Sequence, residues 1–455
     1  IRAIADRLER ELNAPVAIAT VCSRGAEAST RPVRENGLDW VLAGDLSDLP
    51  GFREQATREL GERTAKMRFV LLDPHESVQH MDLGLSADVL VERITGEKPP
   101  TPSRRGTRVI FLHDQRDGPG PSMAGGEIVA LPAKEPERAR GFDRLARQLC
   151  GHSVGLALGS GAAWGLAHIG VLEVLEEAGV PIDFIAGSSM GAIVGAHYAL
   201  GYSPAELREM ATRVKTLQDF ASIVPELLYL AADFNVIQPG FFAGQHFKKV
   251  LAAIAPITGK TFADLAIPFR AVATNIETGA RAELREGELA EAVHASFAAP
   301  GILSPHRVGD GVYIDGGMVD PVPAETVRRM GADLVIAVNV VPPLDPDVRN
   351  PLDRILESIS RLNPLAALRG EEQRRLPGAF DAVMRTLQIM QYQLGNDRAG
   401  EADVLINPEL KEFWMLEFWA GERMIRKGAE ATREALPAIQ EKLEAWRKAS
   451  VPTEI

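Results

Sequence analysis

The sequence predicts an α/β protein with more than one folding unit. Its strand-length apolar runs are rich in Val, Ile and Leu, and helix-like segments separate them. Continuous apolar strands of this kind are typical of parallel sheets that are covered on both faces. A chain of 455 residues is about three times as long as a typical domain, so we expect more than one hydrophobic core.

The first predicted unit covers residues 1–140 and is a small α/β domain with a regulatory or scaffold role. An apolar stripe with helical spacing runs from Ile1 to Leu12 at its start. Two prolines, Pro132 and Pro136, and the charged stretch 134–140 mark its end. Its predicted strands are Pro15–Val21, Trp40–Ala43, Arg68–Leu72, Ala87–Val91, Arg108–Leu112 and Glu127–Leu131.

The second predicted unit has its core in residues 141–345 and is also α/β. A helical insertion follows over residues 346–400, and residues 401–455 supply the last strand and a charged helix that runs from Leu410 toward Trp446. The predicted strands of this unit are Val154–Leu158, Phe184–Ala186, Phe269–Thr274, Val312–Ile314, Leu334–Asn339 and Val404–Ile406.

Composition excludes several classes of function. The 50 Lys and Arg residues against 62 Asp and Glu residues give a net charge of -12, which disfavours nucleic acid as the partner. Cys22 and Cys150 are the only cysteines, so neither a disulfide scaffold nor a zinc ribbon is expected, and a cytoplasmic location fits best. No apolar run is long enough to span a bilayer. A start at Ile1 rather than Met predicts that the sequence is a piece of a longer protein.

The most specific motif is Gly187-Ser188-Ser189-Met190-Gly191, a G-x-S-x-G between an apolar strand and a helix-like segment. A sharp strand-to-helix turn needs small residues two before and two after the serine, and it holds the serine oxygen at the start of the helix. Ser189 is therefore the predicted nucleophile. The alternative is a Gly/Ser-rich turn without chemistry.

A second small-residue turn, Gly159–Gly165, follows the strand Val154–Leu158. Such a turn leaves backbone N–H groups uncovered at the start of a helix, which suits an oxyanion or a phosphate. The rival interpretation is a dinucleotide-binding turn, since Asp183 lies about twenty residues on. That acid precedes the next strand instead of ending it, which counts against the rival.

The group that activates Ser189 is less clear from the residues alone. An α/β-hydrolase triad runs Ser, acid, His, but the histidines of this chain stop at His306. An inverted order with His294 or His306 stays open, whereas His168 and His197 fall inside predicted helices. The best acid is Asp315, at the end of an apolar strand and before a Gly pair. Its alternative is a plain Asp-Gly turn.

Taken together, these motifs resemble those of the patatin-like phospholipases, closest to the neuropathy target esterase branch. The resemblance covers residues 142–342, with a Gly-rich turn, a G-x-S-x-G elbow and a D-G-G turn in that order. It implies a patatin-like catalytic domain with a largely parallel sheet, and hydrolysis of lipid acyl esters of lysophospholipase or phospholipase type without a metal or an organic cofactor. It also implies that Ser189 and Asp315 form a catalytic dyad. The implied oxyanion hole consists of the amides around Ser160, Gly161, Ala162 and Ala163.

The chain also departs from the family pattern. Ser160 and Ala162 stand where the family usually has Gly, and Trp164 stands where it has Lys or Arg. Backbone amides tolerate Ser or Ala if φ stays negative, but the missing cation weakens the expected binding of an anionic head group. A catalytically weak lipid-binding or regulatory module is therefore the alternative function.

Two apolar segments are predicted to meet lipid. A cluster between the catalytic motifs is a candidate trough for an acyl chain, and it comprises Leu227, Leu228, Leu230, Phe234, Phe241, Phe242 and Phe247. The helical stripe Phe380–Leu394 is a candidate site for peripheral attachment to the inner face of a membrane, because Arg369, Arg374, Arg375 and Arg385 flank it. Packing on the catalytic domain, or a homodimer through the insertion, is the alternative role for the stripe.

Overall fold

The computed structural model describes the chain in parts. It describes the strands of residues 17–23, 39–44, 69–74, 89–94, 108–114 and 127–131, and then residues 137–216, 219, 257–300, 302–344 and 379–449. The chain divides into two compact units, which are residues 1–152 with 443–455, and residues 153–442. The sequence prediction instead drew the boundary at residue 140 and placed 401–455 in the second unit. In the first unit the ring of His152 stacks on Trp446 with centroids 5.3 Å apart, which ties the end of the chain to this unit.

The first unit contains a fully parallel sheet. Its described strands lie in the order β2-β1-β3-β4-β5-β6, and each pairs in parallel with its neighbour. This is the arrangement that the continuous apolar runs predicted. The elements are β1 Ala17–Ser23, β2 Asp39–Gly44, β3 Phe69–Pro74, β4 Val89–Ile94, β5 Arg108–Asp114, β6 Glu127–Leu131 and helix α1 Glu137–Cys150. The predicted stripe from Ile1 to Leu12 lies outside the described residues.

The second unit is a mixed sheet with helices. Its strands are β7 Val154–Leu158, β8 Phe184–Ser188, β9 Phe269–Asn275, β10 Arg281–Leu284, β11 His306–Val308, β12 Gly311–Asp315, β13 Leu334–Val338 and β14 Val404–Ile406. Its helices are α2 Ala167–Glu177, α3 Met190–Ala199, α4 Pro204–Ala211, α5 Leu289–Phe297, α6 Ala324–Arg329 and α7 Ala379–Ala399, and α8 spans Gly421–Ala449. None of the helices within the described ranges is long and apolar enough to cross a membrane.

The sheet of the second unit runs β11-β12-β9-β8-β7-β13-β14, and β10 also pairs with β9. Strands β9, β8, β7, β13 and β14 are parallel, whereas β10, β11 and β12 pair in antiparallel fashion. The central strands β7 and β13 are buried at every residue, as their apolar sequences require. This architecture confirms the α/β fold class, with a largely parallel central sheet.

Every strand predicted from the sequence is present, with ends shifted by at most three residues. Strands β10 and β11 were not predicted, because they are short and their half-exposed sequences lack an apolar run. The C-terminal helix starts at Gly421 rather than after Leu410, since residues 410–420 form an irregular segment with a short turn at Phe418–Ala420. Of the predicted insertion, residues 379–400 are described, and α7 occupies them.

Helix α7 does not bury the apolar stripe that its sequence suggested. Of the stripe residues whose side chains are described, Val383 is 39% exposed, Leu387, Met390 and Leu394 are half-buried, and only Met384 is buried. The buried face of the helix lies elsewhere on its circumference and consists of Met384, Gln391, Gly395 and Ala399. Much of the stripe therefore stays at the surface, while a glutamine points inward.

Candidate active site

Ser189 sits in a strained turn between β8 and α3. Its φ of 55° and ψ of -119° place it outside the regions that L-residues favour. Among the described non-Gly residues, only Ser189 and Ala162 have a positive φ. The flanking glycines make the turn possible by close approach. A Cβ on Gly187 would collide with the backbone of Gly191, and one on Gly191 would collide with the carbonyl of Leu158. The structure therefore has the elbow geometry that the G-x-S-x-G motif predicted.

Strand β9 brings the two predicted site residues together. Strand β8 pairs with one edge of β9, and its last residue, Ser188, lies opposite Val272 of β9. Strand β12 continues along the same edge, and its Asp315 lies opposite the next residue, Ala273. The chain leaves β8 at Ser189, directly beside the end of β12. Residues 126 apart in sequence thus become neighbours.

The side chains of these two residues are hydrogen bonded. The Ser189 hydroxyl donates to Asp315 Oδ2 over 2.6 Å, and the N–H of Gly317 donates to Asp315 Oδ1 over 2.7 Å. Ser189 is 3% exposed and Asp315 is 2% exposed. Both carboxylate oxygens are therefore held in place, and one of them is aimed at the hydroxyl.

Burial gives the Asp315 carboxyl an unusual affinity for protons. Desolvation raises its pKa to about 6, even though the hydrogen bonds from Ser189 and Gly317 act in the opposite direction. A carboxylate with a pKa near the working pH is a better proton acceptor than an ordinary surface aspartate. The arrangement can thus take the proton from Ser189 when its oxygen attacks an electrophile.

Two buried hydroxyls that the sequence analysis missed hold the dyad in position. Ser296 accepts a hydrogen bond from the N–H of Ser189 over 3.0 Å and donates to the carbonyl of Val272. Thr274 donates to the carbonyl of Asp315 over 2.8 Å. The sequence could have indicated that Ser296 is buried, because it lies on the same face of α5 as the apolar residues Leu289 and Val293.

The Gly-rich turn is fixed by carbonyls from distant segments. The N–H of Ser160 donates to Pro321, and the N–H of Ala163 donates to Met415. These two amides are already paired, which corrects the expectation that all four residues offer free donors. Within the described residues, the N–H groups of Gly161 and Ala162 have no acceptor. The predicted anion site is therefore reduced to these two amides.

Ala162 and Trp164 show how the turn accommodates its departures from the family pattern. Ala162 has a φ of 46°, a left-handed conformation that favours glycine. The expectation that φ stays negative where alanine replaces the family's glycine is therefore not met. Trp164 is 2% exposed, and its indole N–H donates to the carbonyl of Phe413 over 3.0 Å. At this position the chain therefore has a packing residue that anchors the turn, where the family has a cation.

None of the described histidines is hydrogen bonded to Ser189. Inside the unit, His168 donates to the carbonyl of Gly159, and its burial lowers its pKa to about 4. His197 is bonded to the carbonyl of Ile193, and burial lowers its pKa as well. His306 stacks on His294 at 3.9 Å, and its Nε2 lies 2.6 Å from Glu291. These contacts give the histidines structural roles and leave Asp315 as the partner of the serine.

The position of Asp183 argues against the dinucleotide-binding interpretation. Asp183 is fully buried, and its carboxylate accepts a hydrogen bond from the N–H of Val154 over 2.9 Å. It therefore joins the starts of two strands and is not exposed to a ribose. In the part of the chain that the structure describes, no group of three His, Cys, Asp or Glu residues is arranged to hold a metal ion.

The apolar trough predicted for an acyl chain, Leu227 to Phe247, lies outside the described residues. A cavity of about 800 Å³ does open beside β10 and the β11–β12 hairpin. Its lining includes Arg281, Glu283, Arg285 and Arg329. Such a charged surface does not suit a hydrocarbon chain, so this cavity is not a replacement for the trough.

Comparison with known proteins shows which family the segment around the elbow is similar to. Residues 156–328 match the family model of the patatin-like phospholipases. Patatin-like phospholipase domain-containing protein 6 of Homo sapiens is 35% identical over 210 residues, which are 46% of this chain and 15% of that protein. An uncharacterized NTE family protein of Mycobacterium bovis is 39% identical over 188 residues, which are 41% of this chain and 49% of that protein. Lysophospholipase NTE1 of Pyricularia oryzae is 29% identical over 307 residues, which are 66% of this chain and 19% of that protein.

These matches concern a part of each relative. The aligned segments span 15%, 49% and 19% of the three relatives. The matched segment of this chain contains Ser189, Asp315 and the Gly-rich turn. The similarity therefore applies to the unit that carries the elbow, and the activity of the whole protein is a matter for inference.

Proposed function

We propose that the chain is a serine esterase that hydrolyses acyl esters of lipids, because residues 156–328 match the family model of the patatin-like phospholipases. The substrates are of lysophospholipid or phospholipid type, by similarity to the relatives. Ser189 is the nucleophile and Asp315 is its base. The observation that carries this proposal is the hydrogen bond of 2.6 Å between Ser189 Oγ and Asp315 Oδ2.

The reaction proceeds in two halves. Ser189 Oγ attacks the acyl carbonyl carbon while its proton passes to Asp315, and collapse of the tetrahedral intermediate returns that proton to the leaving alkoxide. In the second half Asp315 takes a proton from water, which attacks the acyl-enzyme and releases the fatty acid. Asp315 is thus the base in each attack and the acid in each collapse.

Two backbone amides supply the oxyanion hole in this proposal. The N–H groups of Gly161 and Ala162 have no acceptor within the described residues, and they lie at the start of the short helical turn Ala162–Leu166. Donors of this kind stabilise the negative charge that develops on the carbonyl oxygen. The hydrogen bonds from Trp164 to Phe413 and from Ala163 to Met415 keep the turn in place.

We further propose that the protein works at a membrane surface, because its substrates reside in bilayers. The net charge of -12 argues against attachment by the whole surface to anionic lipid. Helix α7 is the proposed contact, since Val383 is exposed on it and Leu387, Met390 and Leu394, which share its face, are only half-buried. Apolar side chains on one exposed helical face are suited to the interface between head groups and acyl chains.

A fluorophosphonate probe tests the proposed esterase most directly. Such a probe reacts with an activated serine and leaves a covalent adduct whose position mass spectrometry identifies. We expect one adduct per chain, at Ser189, and none in Ser189→Ala. A catalytically silent lipid-binding module, the alternative that Trp164 raised, would bind lipid vesicles without forming the adduct.

A further inference from the structure

His168 is a buried titratable side chain that the proposed mechanism does not use. It is the second residue of α2, and it is 0% exposed. Its Nε2 lies 2.7 Å from the carbonyl oxygen of Gly159, and in the described part of the chain its Nδ1 has no partner. Its low pKa keeps the ring neutral near pH 7, and a carbonyl oxygen only accepts, so Nε2 must carry the hydrogen of the ring. The single N–H of this imidazole is therefore committed to Gly159.

The hydrogen bond from His168 holds one peptide group of the Gly-rich turn. The carbonyl of Gly159 and the N–H of Ser160 belong to the same planar peptide group, and that N–H donates to the carbonyl of Pro321 over 2.7 Å. His168 and Pro321 thus hold opposite ends of one plane. Because residue 159 is a glycine, rotation of this plane meets little steric resistance, and the two hydrogen bonds decide its orientation.

The peptide group that His168 holds lies directly before the proposed oxyanion hole. The next peptide group along the chain contains the N–H of Gly161, and the one after it contains the N–H of Ala162. The Ala162 plane has its own anchor, because the carbonyl of Gly161 accepts from the N–H of Trp164 over 3.0 Å. Among the described residues, no hydrogen bond holds the plane of the Gly161 N–H itself. Its direction therefore depends on the plane before it.

From these contacts we propose that His168 is a positioning residue of the oxyanion hole, which holds the peptide group between Gly159 and Ser160 so that the Gly161 N–H is aimed at the developing oxyanion. This inference rests on the proposed esterase function. His168 is bonded to the backbone and does not touch the reacting atoms, so it acts only through the turn. Loss of a whole oxyanion donor costs about 10²- to 10³-fold in kcat, and a misaimed donor should cost less.

Two amide substitutions of His168 that differ in reach provide the test. In His168→Gln the side-chain nitrogen can occupy the place of Nε2 and donate to Gly159, whereas in His168→Asn the shorter side chain leaves its nitrogen near the place of Nδ1. For a soluble ester such as p-nitrophenyl butyrate, we expect His168→Asn to lower kcat by about 10- to 100-fold with KM unchanged, because the oxyanion forms only in the transition state. The kcat of His168→Gln should stay within about 3-fold of the parent.

A trifluoromethyl ketone inhibitor gives a second readout that a merely structural role would not move. Its adduct with Ser189 carries an oxyanion, so its inhibition constant should rise in His168→Asn by about the factor by which kcat falls. His197→Asn is the matched control, because His197 is also a buried histidine but is bonded to the carbonyl of Ile193 within its own helix. Its kcat should stay at the parent level, whatever happens to its melting temperature.

The outcomes separate this inference from the esterase proposal. Equal rates in His168→Gln and His168→Asn would overturn the positioning role, and so would a loss that appears in KM alone, while the esterase proposal would stand. A parent without hydrolysis that depends on Ser189 would overturn both.

The tautomer of His168 tests the same role without any substitution. Imidazole nitrogen shifts of the parent protein, labelled with ¹⁵N at its histidines, should show the Nε2–H form of His168 near neutral pH. An Nδ1–H form would overturn the inference even if no variant folds, because that ring could not donate to Gly159 through Nε2.

Discussion

Ser189 and Asp315 lie where two strands, β8 and β12, meet end to end along one edge of β9. Ser188 pairs with Val272 and Asp315 pairs with Ala273, so the register of one strand sets the spacing of the dyad. The carbonyl of Val272 is also bonded to Ser296, which in turn holds the N–H of Ser189. The geometry of the dyad is therefore a property of β9 and the residues that pack on it.

We predict that Ser189→Ala and Asp315→Asn each reduce ester hydrolysis by several orders of magnitude, because one removes the nucleophile and the other removes its base. Members of one catalytic unit are not additive, so the double variant should be no worse than the worse single variant. Initial rates on a soluble ester measure this. His306→Ala is the control and should retain activity, because His306 is bonded to Glu291 and not to the serine. An equally severe loss in His306→Ala would point to a triad instead.

The rate should depend on pH through Asp315. Its pKa is raised to about 6 by burial, and only the ionised carboxylate accepts a proton. We expect kcat/KM to rise about tenfold per pH unit below the midpoint and to level off above it, with the midpoint near pH 6. Asp320 also has a pKa of about 6, chiefly through burial, so Asp320→Asn is the necessary control. A midpoint that moves in that variant would assign the titration to Asp320.

Asp315→Asn should make the folded protein more stable at alkaline pH. Because burial raises the pKa of Asp315 above its value in the unfolded chain, the folded state binds the proton more tightly, and the free energy of unfolding falls as pH rises from about 4 to about 6. The amide cannot ionise, so it avoids this cost, which is at most about 3 kcal/mol. Calorimetry at pH 8 and pH 4 should show a gap between variant and parent that closes in acid. Asp310→Asn, which removes a carboxylate at an exposed turn, is the matched control.

Ala162→Gly should stabilise the second unit by up to about 1 kcal/mol. The left-handed conformation costs an alanine about 1–2 kcal/mol, and the added flexibility of glycine offsets part of the gain. Ala163→Gly is the matched control, because Ala163 has a negative φ and the same change there should cost about 0.5–1 kcal/mol. Denaturant titration of the two variants measures the difference. Opposite signs are expected, and two losses of equal size would contradict the strain at Ala162.

Binding to lipid vesicles should depend on the exposed face of α7. We expect Val383→Asp and Leu387→Asp to weaken co-sedimentation with vesicles that contain anionic lipid, because a carboxylate at the interface loses hydration and is repelled. Met384→Asp is the comparison from the buried face, and it should lower the melting temperature instead. Unchanged vesicle binding in Leu387→Asp, together with loss of a dimer, would show that the stripe is a subunit interface.

Much of the site could be predicted because its signals are local. The elbow at Ser189 needs only a strand, a helix and two glycines within five residues. The two glycines are visible in the sequence, and they are needed because the backbone approaches too closely for a Cβ. The strands of both sheets were likewise visible as apolar runs, because burial on two faces removes polar residues from them. Short edge strands such as β10 carry no such signal.

The identity of Asp315 as the partner of Ser189 depended on a family resemblance, since nothing local connects residues that are 126 positions apart. The pairing of β8 and β12 with β9 supplies the connection in space. Similarly, the family resemblance implied amide donors at four residues of the Gly-rich turn, and the carbonyls of Pro321 and Met415 already accept hydrogen bonds from two of them.

By itself, the sequence determined the α/β class, the nucleophile elbow and the small-residue turn, because each follows from the sizes and polarities of adjacent residues. Only the tertiary structure decided which acid faces the serine, which amides stay free and which face of α7 turns inward. Gln391 is the clearest case, since no pattern in the sequence predicts that this polar residue is buried. Packing of α7 places its amide close to Ser160 and Gly317, and such contacts between distant segments are set by the fold as a whole.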